Sequence, residues 1–180
     1  MNYLKSFFSL SLFMCILLCS CETTTDTPPK YSSIDSVTGM SLYDATGADL
    51  GTWREPNDYH PNISAFPNPA NGNITVSGVT NITRIMVIPA NCFRDTETEN
   101  IPELSVSSAY DIEDIEEFEV LDLEFTSATD LIFLDLSDRS EGFYRVFFIE
   151  NSETIYRQNI YIDPDMGNVV DVTAIDNACP

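Results

Sequence analysis

The sequence predicts an all-β protein: an antiparallel β-sandwich that follows an N-terminal export segment and a polar tether. Three observations carry that prediction. From residue 40 onward the apolar residues recur in short runs of strand length. Clusters of Gly, Pro, Asn and Asp punctuate the runs at close spacing. Helical spacing is confined to one short acidic stretch, so strand–helix–strand units have nothing to form from.

The totals set the frame. A chain of 180 residues has room for one domain or two small ones, and a 43% hydrophobic content is enough for a core. The charge is lopsided, with 29 acids against 8 Lys and Arg and a net charge of −21. Such a chain is repelled by nucleic acid and by anionic lipid headgroups, both of which are bound through Lys and Arg.

Residues 1–20 place Lys5 ahead of an apolar run from Phe7 to Leu18 that Ser9 and Ser11 interrupt. That is a charged n-region and an h-region of export-signal length, too short to span a bilayer. The run ends in Leu18-Cys19-Ser20-Cys21, which resembles the bacterial lipobox. The resemblance implies cleavage before Cys21, lipidation of its thiol and acylation of the new amine. Several acyl chains on one residue give a stable anchor, where one chain alone is marginal. Residues 21–36 are rich in Thr, Ser and Pro with little to bury, so they read as a flexible tether. Glu22 and Asp26 resemble lipoprotein surface-export signals, and Asp35-Ser36-Val37 resembles an O-glycosylation triplet.

The body of the chain follows in order. Residues 37–61 read as a hairpin turning at Asp44-Ala45-Thr46-Gly47, then a Pro/Asn-rich loop. Residues 62–175 read as the sandwich, and 176–180 as a tail. Within the sandwich, 73–79 alternates Ile74 and Val76 inward with Thr75 and Ser77 outward. A strand over 82–89 is expected to end at Pro89. Ile112, Ile115 and Phe118 at three-residue intervals predict one helical turn within 110–120. Residues 118–125 alternate with a phase slip at Val120-Leu121, which predicts a bulge. Residues 130–137 form a strand. Residues 142–150 are apolar on both faces except at Arg145, the pattern of a central strand. Residues 153–163 pair with it through the Asn151-Ser152 turn, and 168–175 read as a late edge strand.

Two stretches support a family resemblance. Pro67-Asn68-Pro69 followed by the strand at Ile74 and Val76 resembles the opening of the type A C-terminal sorting domain of the type IX secretion system. The segment 134–162, with Leu136, Gly142 and Tyr144, is similar to that family's closing strands. The resemblance covers about residues 62–162 and implies a seven-stranded, immunoglobulin-like sandwich. The sequence departs from the family in its middle, where 86–100 lack the glycine of the family's hairpin, and in the 18 residues that follow Ile162. Removing residues 62–180 as a sorting tag would leave a tether and one hairpin, too little to fold. The sandwich therefore reads as the body of the protein.

Five cysteines sort simply. Cys15 and Cys19 leave with the signal, Cys21 takes lipid, and Cys92 and Cys179 remain as an even pair suited to a disulfide in an oxidising compartment. His60 is the only histidine, so a catalytic triad or two-histidine metal site within one chain is excluded, and no cofactor motif occurs. Asp163, Asp165 and Asp171 supply hard oxygen ligands on a Gly-containing loop, a weak calcium candidate set against a solvated turn. Trp53, Tyr59 and Phe66 flank the Pro-rich loops and read either as an exposed aromatic patch or as packing.

The expectation from sequence is a non-catalytic lipoprotein anchored in the outer membrane, on its periplasmic or cell-surface side. Its sandwich would serve adhesion, protein binding or envelope structure, with no nucleic-acid partner and no cofactor beyond the calcium candidate. A type IX secretion-associated protein read by the translocation or attachment machinery is the first alternative, and a carbohydrate-binding accessory module the second.

Overall fold

The computed structural model describes residues 34–58, 60–93, 110–126, 130–151, 154–166 and 171–179. They are mostly β, arranged in several sheets whose pairings are antiparallel with one exception. The strands are β1 (Ser36–Val37), β2 (Met40–Tyr43), β3 (Asp49–Trp53), β4 (Ser64–Phe66), β5 (Asn73–Ser77), β6 (Ile82–Cys92), β7 (Leu121–Glu124), β8 (Leu131–Asp135), β9 (Gly142–Glu150) and β10 (Thr154–Ile162). Among the described residues two short helices, α1 (Ile112–Glu116) and α2 (Val172–Ala178), join them.

The largest sheet runs β1-β6-β9-β10, with β7 also on β6. The second runs β4-β5-β8, and β2 and β3 form a separate hairpin. β9 lies between β6 and β10 and is buried along nearly its whole length. Its alternation divides the core. Tyr144, Val146 and Phe148 join Ile85 and Val87 of β6 and Ile160 and Ile162 of β10. These meet Ala65, Ile74, Val76, Ile132 and Leu134 of the three-stranded sheet in one apolar cluster. Each large side chain so buried contributes about 1.5–3 kcal/mol.

The opposite face of the large sheet is covered differently. At one end, Phe143, Tyr161 and Cys92 pack with Met40, Leu42 and Trp53 of the hairpin and with Ile175 of α2. At the other, Met86, Ile88, Phe147 and Ile149 pack with Ile34, Tyr110 and Ile115 of α1. The hairpin and both helices are thus parts of the same body.

Several sequence expectations change. β6 does not end at Pro89 but continues to Cys92. β7 pairs with Arg84–Val87 and β1 with Asn91–Cys92, so Pro89 falls in the gap between two partners on that edge. The amide of Asn91 donates towards β1, and the missing N–H of Pro89, two residues earlier, would point to the same side, where no ladder runs. The bulge at Val120-Leu121 is absent: the strand starts at Leu121, and Val120 leads into it by donating its N–H to Val87 O. The late edge strand is replaced over 172–178 by α2, because Asp171 Oδ1 accepts from Thr173 N (2.9 Å) and caps a helix start; residues 168–170 lie outside the described residues. The C-terminal tail at 176–180 is helical through Ala178, with Cys179 fully buried. The tether stops short of residue 36, since Ile34 and Ser36 are buried and Ser36–Val37 forms a parallel strand on β6. The serine of the glycosylation-like triplet is therefore inside the fold.

Candidate functional site

The sequence motif residues occupy two places. Pro67-Asn68-Pro69 lies against β10 and the hairpin, with cis peptide bonds preceding both prolines. Asn68 is fully buried and uses every polar group it has. Its Nδ2 donates to Ser41 O (2.7 Å) and Asn159 O (2.9 Å), and its Oδ1 accepts from Tyr161 N (3.1 Å). Its backbone exchanges two hydrogen bonds with Tyr43. A single asparagine thus joins β2, β10 and the approach to β5. Beside it, Gln158 completes a similar bridge: its side-chain amide both donates to Ala65 O and accepts from Ala65 N, linking β10 to β4.

Leu136, Gly142 and Tyr144 sit at the turn from β8 into β9. Leu136 is buried and donates its N–H to Gly72 O (2.7 Å). Gly142 has φ of +154° with open space where a Cβ would stand, so the backbone conformation, not crowding, asks for glycine. The Tyr144 hydroxyl donates back to Ser140 O (2.9 Å), tying the turn to the strand it launches.

The second face of the large sheet carries the feature that sequence reasoning flagged but did not interpret. Arg145 is fully buried. Its Nε donates to Oδ1 of Asn159 (2.8 Å), its cross-strand partner. Its Nη1 donates to Ile34 O (2.9 Å) and its Nη2 to Ser36 O. Burial pushes the guanidinium pKa down, yet an arginine keeps its charge. Asn159 Nδ2 donates to Gly39 O (2.8 Å) and to Asn57 Oδ1 (2.6 Å), and Asn57 Nδ2 donates to Ser36 O (2.7 Å). Asp58 accepts from Asn159 N (2.6 Å) and Ser41 N (3.1 Å). Gly39 passes so close to the hairpin that a Cβ there would lie 2.6 Å from Trp53 O and Glu55 O. These groups form a polar clasp that holds the incoming chain, residues 34–41, onto β9 and β10. The signal in the sequence was Arg145 on an otherwise apolar strand, with Asn159 within the polar stretch Arg157-Gln158-Asn159 of the strand beside it.

His60 belongs to the same loop. Its Nδ1 lies 2.7 Å from Ile63 O and its Nε2 3.6 Å from Asp58 Oδ2. Desolvation lowers its pKa, but the hydrogen bond and charge of Asp58 outweigh that, and the net shift is upward.

Cys92 and Cys179 form a disulfide that fastens the end of α2 to the end of β6. Around it, Trp53 Nε1 donates to Asp176 Oδ1 (2.9 Å), and Arg54 lies over the Trp53 ring and pairs with Asp176. Trp53 is buried and stacks on Phe143 at 5.7 Å. Phe66 is half-buried, with the hairpin turn at Gly47 approaching its ring. Tyr59 lies outside the described residues, as does Cys21, the expected lipidation site.

The calcium candidates have other duties. Asp171 caps α2, and Asp163 accepts from Asp165 N (3.0 Å). Among the described residues no three acidic, histidine or cysteine side chains group as metal ligands. Among the same residues no helix is long and apolar enough to cross a membrane.

The described residues include two cavities and an exposed strand face. A 230 Å³ cavity beside the incoming chain is lined by Ile34, Asp35, Pro89, Asn91 and Phe118. A 220 Å³ cleft at the other end of β6 is lined by Thr80, Asn81, Ile82, Thr83, Phe125, Thr126 and Asn151. The outer face of β8 presents Leu131 and Phe133, 49% and 75% exposed. No family model matches the chain, no curated protein matches it, and no solved structure matches it.

Proposed function

We propose that this protein is a non-catalytic lipoprotein, held to the outer membrane by lipid on Cys21, whose immunoglobulin-like β-sandwich binds other proteins or supports the envelope. The observation that carries the reading is the polar clasp. Residues 34–41 lead directly from the expected tether and are hydrogen-bonded into β9 and β10 through Arg145, Asn159 and Asp58. An anchor upstream would therefore hold the whole domain, and the domain is the working part.

The strand order supports the immunoglobulin-like assignment. β4-β5-β8 shares one core with a sheet in which β7 and the two-residue β1 divide one edge of β6, followed by β9 and β10, so three positions face four, and Tyr144 bonds back to the turn before its strand as a tyrosine corner does. His60, the one histidine, is committed to Asp58 and Ile63 O, which favours a structural role over catalysis. The secretion-tag alternative requires release near residue 62. The clasp, the shared core with Met40, Leu42 and Trp53, and the hydrogen bonds of Asn68 to Ser41 and Tyr43 all cross that point. A sugar-binding module through Trp53 loses its platform, because that ring is buried.

The test is the intact mass of the mature protein from membranes. The reading expects diacylated, N-acylated Cys21 through the C-terminus, lighter by two hydrogens for the disulfide. An unlipidated chain, or one ending near residue 62, overturns it.

A further inference from the structure

We infer that the outer face of the β4-β5-β8 sheet binds a neutral, extended, β-linked oligosaccharide laid across the strands along the row Phe66-Thr75-Phe133. This goes beyond the protein-binding reading above and does not rest on the lipid anchor. The register builds the row: Phe66 stands opposite Thr75, and Thr75 opposite Phe133, so the three side chains share one face. On the other face Ala65, Ile74, Val76, Ile132 and Leu134 are buried in the main cluster, which holds the three strands firmly from beneath. Phe133 is 75% exposed, and Phe66 is half-buried with the hairpin turn at Gly47 against its ring. The backbones under the two aromatic residues are separated by two strand spacings, about 9.5 Å, the length of a disaccharide. Two rings with a small threonine between them make a platform for the apolar faces of sugar rings.

The neighbouring outward positions supply the hydrogen bonds such a ligand needs. Asn73 and Asp135 are cross-strand partners on one side of the row, and Ser64 and Ser77 on the other. Asn73 and Asp135 are exposed, and the two serines are half-buried. Asp135 is fixed through Oδ1, which accepts from the N–H and the hydroxyl of Ser137, and its second oxygen can accept from a sugar hydroxyl. Charge then selects the class of ligand. No Lys or Arg occurs on β4, β5 or β8, and the chain carries a net charge of −21. Nucleic acid, an anionic polysaccharide and a second copy of this chain all meet repulsion there. An extended protein segment that adds to a sheet is held by the backbone groups of an edge. This face offers side chains instead, mixing aromatic rings with short hydroxyl, amide and carboxylate groups, the mixture that fixes a polyhydroxylated ring. A broad, shallow face suits the flat ribbon of a β-linked chain better than the coil of an α-linked one.

The experiment follows the amides of the purified, isotope-labelled mature chain by NMR during titration with four neutral sugars. Cellohexaose, chitohexaose and β-mannohexaose are β-linked, and maltohexaose is α-linked. The proposal expects at least one β-linked sugar to shift amides centred on Phe66, Thr75 and Phe133, with an affinity that does not change as salt is raised. Phe133→Ala should weaken that binding about tenfold, the scale of one lost aromatic contact. Asn73→Ala should weaken it several-fold, the scale of one lost hydrogen bond. Both side chains are exposed, so both variants should fold. No shift with any β-linked sugar, shifts centred elsewhere, equal binding of maltohexaose, or no effect of Phe133→Ala would overturn the proposal. So would a lysine-rich peptide that moves the same amides when the sugars do not, which would assign the face to a protein. A concentration-dependent dimer that Phe133→Ala dissolves would assign it to a second copy and overturn the proposal as well. A mature chain without lipid would sink the anchor and leave this result standing, so the two failures are distinguishable.

Discussion

The two faces of the large sheet are built on opposite principles. Towards β4, β5 and β8 the sheet presents Tyr144, Val146, Phe148, Ile160 and Ile162, and the contact is almost wholly apolar. Towards the incoming chain, two apolar clusters are separated by Arg145 and Asn159 with their polar partners. The first face can be satisfied by any chain of suitable shape, since apolar burial is non-directional. The second demands carbonyls at fixed points, and residues 34, 36 and 39 provide them. Both faces bury apolar clusters, and the polar band decides which segment covers the second one. Buried polar groups carry this kind of specificity only when every member is satisfied.

The sharpest way to break the comparison is a pair of variants of similar cost and different pattern. Phe148→Ala removes a fully buried ring from the apolar face and should cost about 3–5 kcal/mol. Arg145→Ala takes the donor from the buried Ile34 carbonyl and from Asn159 Oδ1 and one of two donors from Ser36 O, and at about 1–3 kcal/mol for each buried group it should cost about as much. Denaturant midpoints measure both losses. Only Arg145→Ala should make residues 34–41 sensitive to a dilute protease at concentrations of denaturant where β9 stays intact.

A smaller effect separates the covering elements from each other. The Cys92–Cys179 bridge closes a separation of 87 residues, and replacing both cysteines by alanine should cost about 2–4 kcal/mol. The loss should appear as undocking of α2 from Trp53, read by the tryptophan fluorescence, ahead of global unfolding. Coincident transitions would mean that α2 and the sheet form one cooperative unit.

The smallest effect lies at the loop under the clasp. His60 has its pKa raised in the folded state, so its contribution to stability is present in full below the unfolded value near 6.5. It is lost as pH rises through the folded pKa. Midpoints measured from pH 5.5 to 8.5 should therefore fall across that window, and His60→Gln should remove the dependence. A stability that rises with pH there would contradict the ion pair with Asp58.

How much of this was legible in the sequence follows the same division. Apolar runs of strand length and turn residues placed β5, β8, β9, β10 and the first hairpin. The central position of β9 followed from its apolar character on both faces. The extension of β6 past Pro89 was hidden, since it depends on a gap between β7 and β1 that no local pattern records. The helix at 172–178 was hidden too: Val172 and Ile175 read equally as part of a strand until the cap at Asp171 is seen. The clasp was half visible. Arg145 stood out among apolar neighbours, but its partners are backbone carbonyls more than 100 residues away, which carry no side-chain signal. Ile34 and Ser36 consequently looked like tether. The exposure of Phe133 was hidden because Leu131-Ile132-Phe133-Leu134 is a continuous apolar run that does not say which side is buried.

The most direct test of the central claim, that the incoming chain is part of the domain, is native-state hydrogen exchange on the purified mature protein. Ser41 N donates to Asp58, and Tyr43 N donates to Asn68 O, while β9 is paired on both edges. The account predicts that peptides covering residues 36–43 exchange with the same opening free energy as those covering 142–150. Rapid exchange over 36–43 beside a protected β9 would contradict it and return those residues to the tether.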